Sequence, residues 1–202
     1  MNAGRIGMVN YGVGNVGSLG NVLDYLGLSF VLSADPVELA RCDHLILPGV
    51  GAFAPAMERL DQSELTTFLR VWAASGQPLL GICLGMQLLL SDSEEGGHHT
   101  GLDLIGGQVK KIRGAPRDVH MGWNQVVPLG PDKLIPEQGY GYFVHSYHCV
   151  LDDPQAIVAS TVYGASIAAV IRQGNLLGIQ FHPEKSQTYG LDILMRFARG
   201  EF

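Results

Sequence analysis

The segment Gly81-Ile82-Cys83-Leu84-Gly85 contains the residue best suited to covalent chemistry in this chain. It has the Gly-x-nucleophile-x-Gly form of a nucleophile elbow, with cysteine in the place of serine. A strand that turns at once into a helix strains its pivot residue, and flanking glycines avoid the Cβ clashes of such a turn. The Cys83 sulfur would then lie at a helix N-terminus, which favours thiolate, and the N–H of Leu84 could face a developing oxyanion. The alternative interpretation is a buried structural cysteine.

A cysteine nucleophile needs a base and a group that orients the base, and the segment from Gln180 to Glu184 offers both. Pro183 favours an extended backbone at His182. Because residues i and i+2 of an extended segment point to the same side, Glu184 could hold the His182 imidazole. We therefore predict a triad of Cys83, His182 and Glu184. The alternative is that His182 ends a strand and Glu184 is a solvated loop residue.

A third segment, Pro48-Gly49-Val50-Gly51, directly follows a predicted strand. Paired glycines after a strand can present backbone N–H groups outward, which would supply the second half of an oxyanion hole. Taken alone, the segment is only a glycine-rich turn.

Two other patterns suggest different chemistry. Residues Gly12 to Gly17 match Gly-x-Gly-x-x-Gly, and with Asp35 they nearly complete a dinucleotide fingerprint. The match is short and follows the bulky polar pair Asn10-Tyr11, so we keep dinucleotide binding as the rival hypothesis. His145 and His148 lie three apart in a predicted strand, where their side chains would point to opposite faces. We therefore predict no metal site and no cofactor.

The elements that must position these residues change character along the chain. In the first ninety residues, strands alternate with helices, which predicts parallel pairing and a sheet covered on both faces. From about Gly106, short strand candidates are joined by Gly, Pro and Asp turns, which predicts an added antiparallel portion. The predicted strands are Arg5–Val9, Leu28–Leu32, His44–Leu47, Leu79–Ile82, Val109–Ile112, Asn124–Val127, Tyr142–Val150, Ile157–Val162, Ile167–Ile171 and Leu176–Phe181. Five helices are predicted. The first ends near Leu26, the second begins near Asp35, and the other three cover Ser63–Gly76, Leu84–Leu90 and Asp192–Arg199.

Composition excludes several classes of protein. Of 202 residues, 47% are hydrophobic and the formal net charge is −6, which argues against a disordered chain and against a general nucleic-acid or anionic-membrane binder. The longest apolar stretch, around Pro78 to Leu90, is too short to span a bilayer. The N-terminus from Met1 to Arg5 shows no signal-peptide pattern, and the 3 cysteines are widely spaced. We expect a cytoplasmic location.

Together the three segments resemble the class I (triad) glutamine amidotransferases. The family pattern of Pro-Gly-x-Gly, Gly-x-Cys-x-Gly-x-Gln and His-Pro-Glu occurs here at Pro48–Gly51, Gly81–Gln87 and His182–Glu184. More narrowly, the chain is similar to the glutaminase subunits of imidazole glycerol phosphate synthase. The segments that carry this similarity span nearly the whole chain and are Asn10–Asn15, Pro48–Gly51, Ser93–Gly96, His120–Asn124, Tyr142–Tyr147 and Phe181–Ser186.

The resemblance implies a flavodoxin-like amidotransferase fold, with residues 1–202 forming one domain. It implies that glutamine is hydrolysed to glutamate and ammonia through a Cys83 thioester. The ammonia would pass to a (β/α)₈-barrel cyclase subunit, which forms a heterodimer with this chain and uses the ammonia in histidine biosynthesis.

The resemblance also implies roles for individual residues. Val50, Gly51 and Leu84 would form the oxyanion hole. Gly49, Gln87, Glu95 and Ser146 would contact glutamine. The implied partner-facing residues are Asn15, Met121, Trp123, Tyr142 and Lys185. Without the resemblance, the residues predict only a cysteine hydrolase or acyl-transfer enzyme on an α/β sheet.

Overall fold

The structure, a computed structural model, describes residues 3–202. Met1 and Asn2, the first two residues of the N-terminal segment that shows no signal-peptide pattern, lie outside the described residues. The strands are β1 (Ile6–Val9), β2 (Phe30–Ser33), β3 (His44–Gly49), β4 (Leu79–Cys83), β5 (Leu90–Ser93), β6 (His99–Thr100), β7 (Ile105–Lys111), β8 (His120–Pro128), β9 (Gly139–His145), β10 (Tyr147–Leu151), β11 (Ile157–Tyr163), β12 (Ala165–Gln173) and β13 (Leu176–Ile179). The helices are α1 (Val16–Tyr25), α2 (Pro36–Leu39), α3 (Phe53–Gln62), α4 (Leu65–Ala74), α5 (Leu84–Leu88) and α6 (Gln187–Ala198). Two short 3₁₀ helices cover Pro154–Ala156 and Pro183–Lys185.

Nine strands form one sheet in the order β2-β1-β3-β4-β13-β12-β11-β8-β9. The pairs from β2 to β13 are parallel, whereas β12, β11, β8 and β9 continue the sheet with antiparallel pairing. This confirms the predicted α/β fold with a parallel centre and an added antiparallel portion. The carboxyl ends of β3, β4 and β13 lie side by side, and that edge is where an open α/β sheet binds its ligands.

The parallel strands are buried on both faces, which is why their sequences are nearly continuous apolar runs. Alternate residues of β3 enter opposite cores: Leu45 and Leu47 pack with Leu60 of α3, and Ile46 packs with Leu19 of α1. Helices α3 and α4 cover the first core, and α1 and α6 cover the second. Each fully buried leucine or isoleucine contributes about 1.5–3 kcal/mol to folding. None of the helices within residues 3–202 combines the length and apolarity needed to cross a bilayer.

A second sheet of four strands, in the order β10-β7-β5-β6, was not predicted. The strand predicted over Tyr142–Val150 is in fact two strands, because the chain leaves the large sheet after His145 and enters the small one at Tyr147. Ser146 makes this transition, and its carbonyl accepts from the N–H of Ile112. No glycine, proline or aspartate marks the break. His145 and His148 therefore belong to different strands, so the single-strand argument about their faces was wrong.

Three helices also differ from the predictions: α3 was missed, α5 ends early, and α6 begins at Gln187 rather than at Asp192. Helix α3 was missed because Pro55 and the preceding glycines suggest a loop; proline is tolerated there because it lies in the first helical turn. Helix α5 ends at Leu88 rather than Leu90, since the apolar run continues directly into the buried start of β5. An apolar run that is buried throughout gives no signal where helix changes to strand.

Candidate active site

Cys83 lies at the junction of β4 and α5 with φ 54° and ψ −109°, a strained conformation for a residue with a side chain. The glycines on either side are required by close packing. A Cβ on Gly81 would lie 2.5 Å from the carbonyl oxygen of Gly85, and a Cβ on Gly85 would overlap the carbonyl oxygen of Leu47. The predicted elbow is therefore present, and Cys83 is its pivot.

His182 follows β13, the strand next to β4, and Glu184 holds its imidazole. Nδ1 of His182 is 2.9 Å from Oε1 of Glu184, and both side chains are almost fully buried. His182 has the extended backbone that was predicted, but Glu184 lies in the 3₁₀ helix Pro183–Lys185 rather than in a continued strand. The Glu184 carboxylate still reaches the His182 imidazole, because only Pro183 separates the two residues in the chain. Asn15 donates a longer hydrogen bond, 3.4 Å, to the same carboxylate oxygen.

The His182 imidazole is strongly favoured in its charged form. Burial by itself would lower the pKa of His182, but the neighbouring Cys83 sulfur and the charged, hydrogen-bonded Glu184 carboxylate outweigh burial and raise it to about 10. With Nδ1 bound to Glu184, Nε2 is the atom left for Cys83. Nε2 is buried and makes no hydrogen bond of standard geometry within residues 3–202. The arrangement supports a thiolate–imidazolium pair, the state in which a cysteine is nucleophilic.

The strip Pro48–Gly51 packs directly against the elbow. Gly49 is the β3 partner of Cys83 in the parallel register, and a Cβ on it would lie 2.7 Å from the N atom of Gly85. The buried Tyr11 hydroxyl donates to the carbonyl of Pro48 at 2.8 Å and fixes the strip from the other side. Burial raises the pKa of Tyr11, so the hydroxyl keeps its proton. Sequence reasoning gave Tyr11 no role of its own.

A pocket of about 320 Å³ opens above Cys83, a volume that suits a small molecule. Its lining residues are Val50, Gly51, Cys83, Leu84, Gln87, Glu95, Val119, Val144, His145, Ser146, Tyr147 and His182. The structure therefore brings the predicted nucleophile and base, all three predicted oxyanion-hole residues and three of the four predicted glutamine contacts to one cavity. The fourth, Gly49, does not line the pocket, because it packs beneath it against the start of α5.

Two of the pocket residues are held by hydrogen bonds to neighbouring groups. The Gln87 amide donates to the carbonyl of Tyr147 and to the Gln180 side chain. Oε2 of Glu95 accepts from the N–H of Phe53 at 2.9 Å and so caps the N-terminus of α3. Both side chains therefore reach the pocket in fixed orientations.

The predicted partner-facing residues also come together. Trp123 of β8 is opposite Tyr142 of β9, with their rings edge-to-face at 5.9 Å between centroids. The Lys185 ammonium lies over the Tyr142 ring at 5.9 Å. Met121 is two residues before Trp123 and, like it, exposed. Asn15 joins this group through its contact with Glu184, the neighbour of Lys185.

The residues of the rival dinucleotide motif have structural roles in this fold. Residues 12–15 connect β1 to α1, Gly17 lies within α1, and Asn15 contacts Glu184. Asp35 accepts from the N–H of Val37 as the N-cap of α2. As for a metal, within residues 3–202 no three His, Cys, Asp or Glu side chains lie together as a metal site would require.

Comparison with known proteins gives consistent matches. The family model for glutamine amidotransferase class-I matches residues 29–199. The imidazole glycerol phosphate synthase subunit HisH of Moorella thermoacetica is 47% identical over 195 residues, which cover 95% of this chain and 93% of the relative. The protein of the same name from Geobacillus sp. strain WCH70 is 45% identical over 201 residues, covering 96% and 95%. One chain in the structure of PurLQS from Thermotoga maritima has a TM-score of 0.75 at 16% identity, covering 98% of this chain and 99% of that one.

The structural likeness shows a shared fold, and the sequence matches show the family. The two relatives align over nearly the full length, which agrees with the spread of the matching segments along the chain. The chain belongs to the class I glutamine amidotransferases and, within them, to the family of HisH subunits of imidazole glycerol phosphate synthase.

Proposed function

We propose that this chain is the glutaminase subunit of an imidazole glycerol phosphate synthase. It hydrolyses glutamine to glutamate and ammonia and delivers the ammonia to a cyclase subunit. The proposal rests on one observation above all: Cys83 is held at a strained elbow beneath a small-molecule pocket that also contains His182, whose imidazole Glu184 orients. The names of the full-length relatives support the choice of synthase.

In the first half of the reaction, the Cys83 thiolate attacks the side-chain amide carbon of glutamine. A C–S bond forms and the amide oxygen becomes an oxyanion, which backbone N–H groups of Val50, Gly51 and Leu84 would stabilise. Collapse of this intermediate breaks the C–N bond. The leaving nitrogen takes its proton from the His182 imidazolium and departs as ammonia, leaving a thioester.

The second half of the reaction needs His182 as a base. The loss of the negative charge on Cys83 when the thioester forms makes this possible. Cys83 helps to raise the pKa of His182, and in the thioester that negative charge is gone, while the burial that lowers the pKa remains. A neutral His182 can then accept a proton from water as the water oxygen attacks the thioester. The C–S bond breaks, glutamate leaves, and the thiolate–imidazolium pair is restored.

The remaining roles follow from position. Gln87, Glu95 and Ser146 line the pocket and would bind the glutamine, while Gly49 would support the oxyanion strip from below. Asn15, Met121, Trp123, Tyr142 and Lys185 would face a barrel-shaped cyclase subunit in a heterodimer. We propose that the whole chain acts as one amidotransferase domain in the cytoplasm, where its three free thiols would stay reduced.

The experiment measures glutamate release by the chain alone and by its complex with the cyclase subunit and that subunit's nucleotide ligand. We expect slow turnover alone and a large increase in the complex. Cys83→Ala should reduce glutamate release in the complex to background. The matched control is Cys42→Ala, another buried cysteine, which lies away from the pocket and should retain turnover.

Several outcomes would contradict the proposal. Glutamate production by the Cys83→Ala complex would exclude this nucleophile, and full activity of the isolated chain would exclude activation by the partner. An electrophilic glutamine analogue should alkylate Cys83, and excess glutamine should block it. The rival dinucleotide hypothesis predicts instead that NAD raises the melting temperature, because a ligand that binds only the native state stabilises it.

A further inference from the structure

The side chain of Gln180 is fully buried between two residues of the pocket. Its Nε2 lies 3.8 Å from the sulfur of Cys83, and its Oε1 accepts from Nε2 of Gln87 at 3.2 Å. Gln180 follows β13 and comes two residues before His182. It is not among the pocket-lining residues, so its amide contacts the nucleophile within the packed interior of the protein.

The direction of these hydrogen bonds is fixed by a backbone carbonyl. The Tyr147 oxygen can only accept, and Gln87 donates to it at 3.0 Å through the same Nε2 that donates to Gln180. Reversing the Gln87 amide would place two oxygens against each other. Gln87 therefore requires the oxygen of Gln180 on its side, which leaves the Gln180 N–H groups for Cys83.

The Tyr147 carbonyl also accepts a hydrogen bond from one of two buried histidines that are bonded to each other. Nδ1 of His145 lies 2.8 Å from the Tyr147 oxygen, so it carries a proton, and its Nε2 accepts from Nδ1 of His120 at 3.0 Å. Asn124 donates to the remaining nitrogen of His120 at 3.1 Å. Burial lowers the pKa of His145 to about 3 and that of His120 to about 4. Both rings are thus neutral near pH 7, as this donor order requires.

We propose that Gln180 is a positioning residue for the nucleophile: its amide N–H donates to the sulfur of Cys83, holds it towards the pocket and favours thiolate over thiol. A donor facing an anion stabilises the charged form, whereas a neutral thiol gains less from it. The consequence for catalysis rests on the proposed glutaminase function. The effect on the Cys83 sulfur does not depend on that function, because it can be measured without glutamine.

The test is the pH dependence of Cys83 alkylation by iodoacetamide, followed by mass spectrometry of the peptide that contains Cys83. Gln180→Met keeps the length of the side chain but removes both hydrogen-bonding groups. We expect the midpoint to move up by about half to one pH unit, so that the rate constant below the midpoint falls about three- to tenfold. Gln173→Met, at an exposed glutamine of β12, should leave the profile unchanged.

A second measurement uses the unmodified chain, so it does not depend on the folding of a variant. The side-chain amide protons of Gln180, observed by NMR, should shift with pH at the same midpoint as alkylation. This titration should be absent in Cys83→Ala. An unchanged alkylation midpoint in folded Gln180→Met would overturn the inference, and so would amide protons that do not respond to Cys83.

The two proposals can fail separately. If the complex hydrolyses glutamine but Gln180→Met leaves the midpoint where it was, only the role of Gln180 is wrong. If the midpoint moves but the wild-type complex releases no glutamate, the hydrogen bond stands and the glutaminase assignment fails.

Discussion

Burial and charge act in opposite directions on the His182 imidazole. Burial disfavours the imidazolium, and the negative charges of Cys83 and Glu184 favour it and prevail. In the proposed reaction this balance is sensitive, because one of the two charges is lost when the thioester forms. At the scale of single residues, the proposed mechanism therefore requires the base to change its protonation state during the reaction, while Glu184 stays charged throughout.

We expect Glu184→Gln to lower glutaminase turnover in the complex about 100-fold, within the range typical for general acid–base groups. The amide is similar in shape but carries no charge, so the pKa of His182 should fall below about 10. The interactions that raise the pKa of His182 also stabilise the fold. This stabilisation is complete below about pH 6.5, the pKa of a histidine in the unfolded chain, and it is lost as the pH rises to about 10. The variant should therefore lose less of its free energy of unfolding between these pH values than the wild type does.

The readouts are kcat for glutamate release and chemical denaturation at pH 6.5 and pH 10. Glu58→Gln, on the exposed side of α3, is the matched control and should behave as wild type in both. Unchanged kcat in Glu184→Gln would mean that the carboxylate does not orient the base.

At the scale of elements, three adjacent strand ends place the chemistry. Strand β3 ends in the strip at Gly49, β4 ends at Cys83, and β13 leads to His182. Close approach of the backbones is what joins them, since the strip and the start of α5 leave no room for a Cβ at Gly49 or Gly85. The glycines of the motifs are therefore packing requirements as well as sources of backbone freedom.

Gly85→Ala should destabilise the elbow, because its methyl group would overlap the carbonyl oxygen of Leu47. Strand and helix must move apart to admit it, and we expect the free energy of unfolding to fall by about 3 kcal/mol, near the upper end for overpacking. Gly17→Ala is the control: Gly17 lies in α1 and a Cβ there meets nothing within 4 Å. That variant should gain up to about 1 kcal/mol from helix propensity. Equal stability of the two variants in urea denaturation would contradict the packing argument.

The elbow and the parallel centre of the sheet could be predicted because their signals are local, whereas the pocket residues Gln87, Glu95 and Ser146 were predicted only through the resemblance to the family. Gly81, Cys83 and Gly85 lie within five residues, and alternating strand and helix patterns imply the parallel sheet. The small sheet could not be predicted, because the chain changes sheets at Ser146 without a glycine, proline or aspartate to mark the break. The role of Gln180 could not be predicted either. The orientation of its side-chain amide is fixed, through Gln87, by the carbonyl of Tyr147, which belongs to another part of the chain.

At the scale of the whole molecule, the active site lies beside several exposed apolar side chains. Met121 is 66% exposed, Trp123 48% and Tyr140 59%, all on β8 and β9. Val119, just before β8, is also exposed and lines the pocket. Only 16% of the residues are charged, against about 25% in a typical domain, and interface cores are depleted of charge. A partner that covers this surface would meet ammonia at the place where the pocket releases it.

Trp123→Ala should therefore weaken binding of the cyclase subunit. A tryptophan at the centre of an interface typically contributes 2 kcal/mol or more, so we expect Kd to rise at least about 30-fold in isothermal titration calorimetry. Tyr25→Ala is the control, since Tyr25 is 79% exposed at the far end of α1 from Asn15 and should not change Kd. Trp123 does not line the pocket, so alkylation of Cys83 in the isolated variant should match wild type. An unchanged Kd for Trp123→Ala would place the partner on another face, and ammonia would then have to leave the pocket by a different route.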